Sequence, residues 1–283
     1  MKALIILLLT ATLAHGQYDA RTADYLRAWR IGAAVDSAWT PADIEGLALW
    51  LDASDLSTLS VTNVSGVNRV TEWRDKSGNG YHALPHDGLD SNRPASGTRT
   101  LNGLNVVDFN LEQMNISANY NLRLNNVASL GVHKFDSFTS GVQDFAYKSR
   151  SSGGGNTRWR PGTIGSGGTL AYLVNVGTGG TLFNQPDRFM VRLYALRHVS
   201  NLVTWRTEGT ERGTESRTVS TTITAHTLGM PNSFDGMVAE LINYDRGITD
   251  AEIQKVEGYL AHKWGLTGDL PSDHPYKDNP PTK

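Results

Sequence analysis

The chain contains no cysteine in 283 residues. Disulfides, a thiolate nucleophile and any Cys-ligated zinc or iron–sulfur centre are therefore excluded. Stability has to come from buried area and backbone pairing. Charge is sparse as well: Asp, Glu, Lys and Arg make up 19% of the residues and sum to −2. A field that weak gathers neither nucleic acid nor an anionic membrane. The densest basic spots, Arg158 with Arg160 and Arg188 with Arg192 and Arg197, are isolated in mixed sequence, so no nucleic-acid partner is expected. Catalytic signatures are missing too, with neither a Gly-x-Ser-x-Gly elbow nor a His-Glu-x-x-His pair.

What is present begins with a leader-like start. Lys2 precedes the apolar run Ala3–Leu13, and Ala14-His15-Gly16 offers small residues for a cut before Gln17. Eleven residues fall short of the ~20 that span a bilayer, so no membrane span is expected in the mature chain. Residues 1–16 read as a signal peptide, or alternatively as an apolar arm that packs on a partner subunit. Residues 17–40 form a second segment, with Tyr18–Val35 patterned as a short amphipathic helix.

The body, 41–268, is patterned for strands. Glycine is abundant, at 29 residues, which suits many short strands joined by tight turns. Leu47–Leu51 reads as a strand buried on both faces, ended by Asp52 and Asp55. Further strands are expected at Arg69–Trp73, Val106–Asn110, Val127–Val132, Asp144–Tyr147, Thr169–Val176 and Met237–Tyr244. Arg188–His198 alternates cleanly, as a half-covered strand does, and a two-residue turn at Ser200-Asn201 leads into Leu202–Thr207. Thr249 and Glu252 make a capping box for a terminal helix. In it Ile253, Val256, Leu260 and Trp264 share one arc while Glu257, His262 and Lys263 face away, until Gly265 stops it. Residues 269–283 read as a polar, proline-bearing tail.

Four stretches resemble the concanavalin A-like lectin/glucanase superfamily, in its laminin-G-like branch found in bacterial secreted and phage structural proteins. They are Leu49-Trp50-Leu51-Asp52-Ala53-Ser54-Asp55, Trp73-Arg74-Asp75-Lys76-Ser77-Gly78-Asn79-Gly80, Phe234-Asp235-Gly236-Met237-Val238-Ala239-Glu240-Leu241, and Glu257-Gly258-Tyr259-Leu260-Ala261-His262-Lys263-Trp264-Gly265. The resemblance, which covers about Pro41 to Tyr276, implies an all-β fold, a two-sheet antiparallel jelly-roll sandwich with its terminal segments close together and the C-terminal helix packed on it; the short N-terminal helix rests on its own pattern. It implies a non-enzymatic binding or adhesion module, secreted or on the cell surface, with carbohydrate or a cell-surface glycan as partner. A virion structural protein that contacts other virion or surface-layer subunits is the alternative. Enzymes of the superfamily place two acids on one strand as Glu-x-Asp-x-x-Glu, and this chain lacks that run.

Two candidate sites follow. Sugar binding uses exposed aromatic faces beside polar groups, which points to Trp159 with Arg158 and Arg160 after a glycine-rich loop, and to Tyr172. Relatives also hold a structural calcium ion between a loop and a strand, with Asp75, Asn79 and Asp235 as the corresponding ligands here. Ala239 departs from the acidic residue that those relatives carry before the strand glutamate. For Asp75 and Asn79 the competing reading is turn closure through side-chain-to-backbone bonds. Trp50, Trp73 and Trp264 are expected in the core.

Overall fold

Among the described residues of the computed structural model, eighteen strands, one α-helix and four short 3-10 helices account for the regular structure. The structure describes residues 38–117, 120, 126–137, 141–144, 146–149, 162–166, 169–176, 179–184, 190–216, 225–228 and 234–283. The expected segment 1–16, and residues 17–37 of the expected segment 17–40, lie outside that set.

The strands are β1 (Leu47–Asp52), β2 (Leu59–Val64), β3 (Val67–Trp73), β4 (Ala83–Pro85), β5 (Ala95–Leu101) and β6 (Leu104–Asn110). They continue as β7 (Met114–Ile116), β8 (Asn126–Phe135), β9 (Gly141–Asp144), β10 (Ala146–Ser149), β11 (Gly162–Ser166) and β12 (Thr169–Val176). The last are β13 (Gly179–Asn184), β14 (Arg192–Val199), β15 (Leu202–Thr207), β16 (Thr210–Ser216), β17 (Ala225–Leu228) and β18 (Asp235–Tyr244), followed by helix α1 (Asp250–Trp264). All the pairings are antiparallel. The main sheet runs β10-β17-β7-β4-β3-β5-β6-β18-β8-β14-β15-β16, with β1 joined to β18 and β2 to β3, and a smaller sheet runs β13-β12-β11-β9.

Two apolar clusters explain how the main sheet is buried. The first joins Leu49, Leu241, Tyr194 and Trp205 to Val70, Trp73, Met114 and Leu228. It lies between the half of the sheet built on β1, β18, β8, β14 and β15 and the half built on β3, β4, β7 and β17. The second joins Trp50, Leu130, Leu193 and Ile242 to Ile253, Val256, Leu260 and Trp264 of α1. The architecture is thus an all-β sandwich with one terminal helix laid across it.

Short turns set the registers. Ser65-Gly66, Asn102-Gly103, Ser200-Asn201 and Glu208-Gly209 each carry positive φ at both residues. This is the paired left-handed geometry whose twist matches that of the flanking strands.

Two expectations about exposure change. β14 is covered on both faces, because Leu193 and Ala195 meet the helix cluster while Tyr194 and Leu196 enter the inter-layer core. Period-two alternation therefore marks two different cores here, not a wet and a dry side. The run 269–283 is no loose tail: Leu270 and His274 are buried, and Tyr276 packs so closely on Gly258 that a Cβ there would meet it at 2.3 Å.

Helix α1 starts with the expected capping box. Thr249 Oγ1 accepts from Glu252 N, and Glu252 accepts from Thr249 N at 2.7 Å. Gly265 closes it in the left-handed region at φ 73°. Arg246 also binds Glu252 at 2.6 Å, and these bonds hold its carboxyl down at about 2, from an ordinary 4.5. A carboxylate depressed on folding contributes stability above its unfolded pKa and loses it as pH falls through the folded one. The Glu252 contribution should therefore fade between pH 4.5 and 2. Because the group is only half-buried and solvent screens it, about 0.5–1 kcal/mol is expected. Urea midpoints at pH 5 and pH 2 should show a smaller acid loss in Glu252→Gln than in the parent chain.

Candidate functional site

The four stretches quoted above meet at one buried polar cluster. Asp52 at the end of β1 lies directly opposite Glu240 on β18. Like charges in that position repel, so something has to neutralise them. Lys263, one residue before the end of α1, places its Nζ 2.7 Å from Asp52 and 2.8 Å from Glu240. Lys76, from the loop after β3, adds contacts of 2.9 Å to both Asp52 and Asp55.

Glu240 is sealed from solvent, and four donors fill its carboxylate. Trp50 Nε1 donates at 2.7 Å, Trp264 Nε1 at 2.8 Å, Tyr259 OH at 3.0 Å and Lys263 Nζ at 2.8 Å. A β-bulge between Val238 and Glu240 breaks the alternation of β18 against β8. It puts Glu240 on the helix side together with Ala239, as a bulge re-aims a side chain. The cations also stack: Lys76 lies 4.5 Å from the Trp50 ring, and Lys263 lies 5.4 and 5.2 Å from the rings of Tyr259 and Trp264.

Burial pushes the Glu240 carboxyl up, with Asp52 adding to the push and Lys263 opposing it. Asp52 goes the other way. Burial would raise it, but the ammonium groups of Lys263 and Lys76 hold it well below the usual carboxylate range. Lys76 is raised, since Asp52 and Asp55 outweigh its desolvation. With every acceptor engaged and Glu240 closed to water, the cluster fastens α1, β1, β18 and the Lys76 loop together.

A second ionic tie fixes the middle of the helix. Arg206 of β15 donates to both oxygens of Glu257, at 2.8 and 3.0 Å. His274 Nε2 meets the same carboxylate at 3.3 Å while its Nδ1 accepts from Tyr276 N. Glu257 and Lys263 therefore do not face away from the sheet, as the helical arc implied. Counter-charges on β15, β1 and β18 draw them inward.

Trp50, Trp73 and Trp264 are in the core, as their motifs suggest. What sequence reasoning missed is that two of these indoles point their N–H at one acid. The visible signal was a single glutamate in the apolar run Met237–Ile242. Asp75 accepts from Trp50 N, Ser77 N, Ser77 Oγ and Tyr81 N at 2.7–3.1 Å. Asn79 Nδ2 donates to the carbonyls of Leu47 and Ala48. Both residues thus stitch their loop to β1 in the manner of turn closure.

Asp235 is not brought to them. It sits seven positions along β18 from Ile242, the partner of Trp50, or about 23 Å at the rise of a strand. Among the described residues no group of three or more acids or histidines is arranged to hold a metal, and Asp75, Asn79 and Asp235 do not fit one calcium ion. His86 and His82 are likewise engaged, with Asn115 and with Asp75 N. Trp159, Arg158 and Arg160 lie outside the described residues. Tyr172 falls on β12, opposite Thr163 and Phe183, and its side chain lies outside the described set.

No protein-family model matches the chain, and no curated protein sequence does. Solved structures do. A Trypanosoma rangeli sialidase in complex with sialic acid superimposes with a TM-score of 0.56 at 12% identity, covering 86% of this chain and 39% of that one. The chain thus spans well under half of the sialidase's length. Domain 4 of AbnA, a GH43 extracellular arabinanase from Geobacillus stearothermophilus, in complex with arabinotriose, gives 0.53 at 12% identity. It covers 73% of this chain and 96% of that one. At such identities the likeness is one of fold, and it agrees with an all-β sandwich.

Proposed function

We propose that this chain is a non-catalytic carbohydrate-binding module of the jelly-roll lectin type, displayed outside the cell. The observation that carries the reading is the match to AbnA domain 4 over 96% of its length. That domain is a separate unit of a larger enzyme and is bound to arabinotriose, and the match extends over most of this chain as well. The acid chemistry supports a non-catalytic role. Glycoside hydrolysis needs two carboxylates open to a sugar and about 5–10 Å apart. Asp52 and Glu240, placed together here, are both buried and are tied to lysines and indoles; Asp108 and Asp136, also close together among the described residues, share the guanidinium of Arg99.

Trp159, flanked by Arg158 and Arg160, and Tyr172 are the proposed ligand contacts, on the chemistry of an aromatic face beside hydrogen-bond donors. The test is a glycan panel with the full chain. Retention of at least one glycan is expected, with Trp159→Ala weakening it about ten-fold or more. Folded protein that binds nothing on the panel would overturn the reading. The mass of the mature N-terminus tests the location. A start at Gln17 accords with export, whereas an intact Met1 favours assembly into a virion surface.

A further inference from the structure

We infer that Lys263 and Asp52 condense into an intramolecular amide, with Glu240 as the acid–base group. Asp52 and Glu240 face each other across the β1–β18 pair. Lys263 Nζ stands between them, 2.7 Å from Asp52 Oδ1 and 2.8 Å from Glu240 Oε2. An amine in contact with a carboxylate oxygen is about 3–3.5 Å from the carboxyl carbon, which is the separation of a near-attack geometry. Oriented neighbours react as if at about 10⁵–10⁸ M, and this offsets the tendency of the free ions to stay apart in water.

The surroundings fit the step. Asp52 Oδ1 accepts from Ser54 N at 3.1 Å and from Ser54 Oγ at 2.6 Å, while Oδ2 accepts from Lys76 Nζ at 2.9 Å. Lys76 thus faces the oxygen that gains negative charge when Lys263 adds to Cγ, and a fixed donor there lowers the barrier. Trp50 Nε1, Trp264 Nε1 and Tyr259 OH hold Glu240 in place. Burial pushes its carboxyl up, towards the proton-carrying form that the step uses. Asp52 and Glu240 are both buried, so water that would hydrolyse the product is kept out. Lys76 also reaches Asp52, but its second carboxylate is the more exposed Asp55 and not Glu240.

In the reaction the Nζ–Cγ bond forms and the Cγ–Oδ1 bond breaks. One of the three ammonium protons stays on the amide nitrogen, and two leave with Oδ1 as water, with Glu240 relaying a proton. Ammonium and carboxylate give amide and water, and no other reactant enters. The ammonium groups of Lys263 and Lys76 hold Asp52 well below the usual carboxylate range, so the ionised pair predominates and the neutral amine is rare. The bond therefore forms slowly, and the ion pairing described above belongs to the chain before it forms. Once made, the bond encloses β2–β18 and most of α1 in one covalent ring. It restricts the unfolded chain as a disulfide does, in a sequence that has no cysteine.

The test is the intact mass of the full chain under denaturing conditions, fresh and after prolonged warming below its melting temperature, followed by tryptic mapping. The aged chain is expected to be lighter by one water than its sequence requires, with Asp52 and Lys263 in one branched peptide. Lys263→Arg keeps the positive charge but has no primary amine, so it should keep its full mass. Glu240→Gln, where it folds, should form the bond about ten-fold or more slowly. Full mass in the aged parent chain would overturn the inference, whatever the variants do. A water loss that maps to other residues, or that persists in Lys263→Arg, would overturn it too. An unchanged rate in folded Glu240→Gln would overturn the role given to Glu240.

Discussion

Replacing Glu240 with alanine is expected to lower folding stability by about 3–5 kcal/mol, the usual cost of breaking a buried ion pair from one side. In a chain of this size that corresponds to a fall in Tm on the order of 10 °C. Two indole N–H groups, the Tyr259 hydroxyl and one valence of Lys263 would lose their common acceptor in a site that water does not reach. Glu240→Gln should cost less, because one carbonyl oxygen still accepts. Lys263→Met should also be costly, since it leaves Asp52 facing Glu240 across the β1–β18 pair. The double variant Glu240→Gln/Lys263→Met should be less destabilised than the sum of the singles by about 1 kcal/mol or more. Strict additivity in urea melts would mean that the two groups do not depend on each other.

The pH dependence of this cluster has two opposing parts. Asp52, depressed on folding, contributes stability that persists above its unfolded pKa and is lost only as pH falls through the low folded value. Glu240 is raised, so its contribution is fully present below its unfolded pKa and declines as pH rises through the folded one.

Arg206→Ala is expected to cost a comparable amount, about 3–5 kcal/mol, because Glu257 is fully buried and its carboxylate takes both guanidinium bonds. Its remaining contact among the described residues is His274. The change should also loosen the segment that follows the helix, since His274 is held by Glu257 on one side and Tyr276 N on the other. Limited proteolysis should then cut within 269–283 well before the parent chain is cut there. Pairing Arg206→Met with Glu257→Leu should recover much of the loss, since a well-packed apolar pair replaces a buried ionic one at little cost. If the double variant is no more stable than Arg206→Ala, the penalty comes from lost packing and not from an orphaned charge.

Much of the fold was legible along the chain. A five-residue apolar run ended by Asp52 and Asp55 marked β1, the turn residues Asp75–Gly80 marked the end of β3, alternation marked β14, and Ser200-Asn201 is the two-residue turn of the hairpin it joins. The capping box and Gly265 located both ends of α1. These are local signals, because capping, turn conformation and strand period are settled within a few residues. Exposure was harder to read. β14 was expected to have a wet face and has none, because a helix some fifty residues later in the chain covers it.

The sequence by itself determined the all-β class and the terminal helix, through periodicity, propensity and caps, and the family resemblance of its motif stretches implied the tryptophan core. Tertiary structure alone decided what the polar residues do. Trp50 and Glu240 are 190 positions apart, and no pattern in either stretch says that an indole N–H will meet that acid. The physical reason is that a charge or an amide is specified by its partners, and in an antiparallel sandwich those partners arrive from elsewhere in the chain.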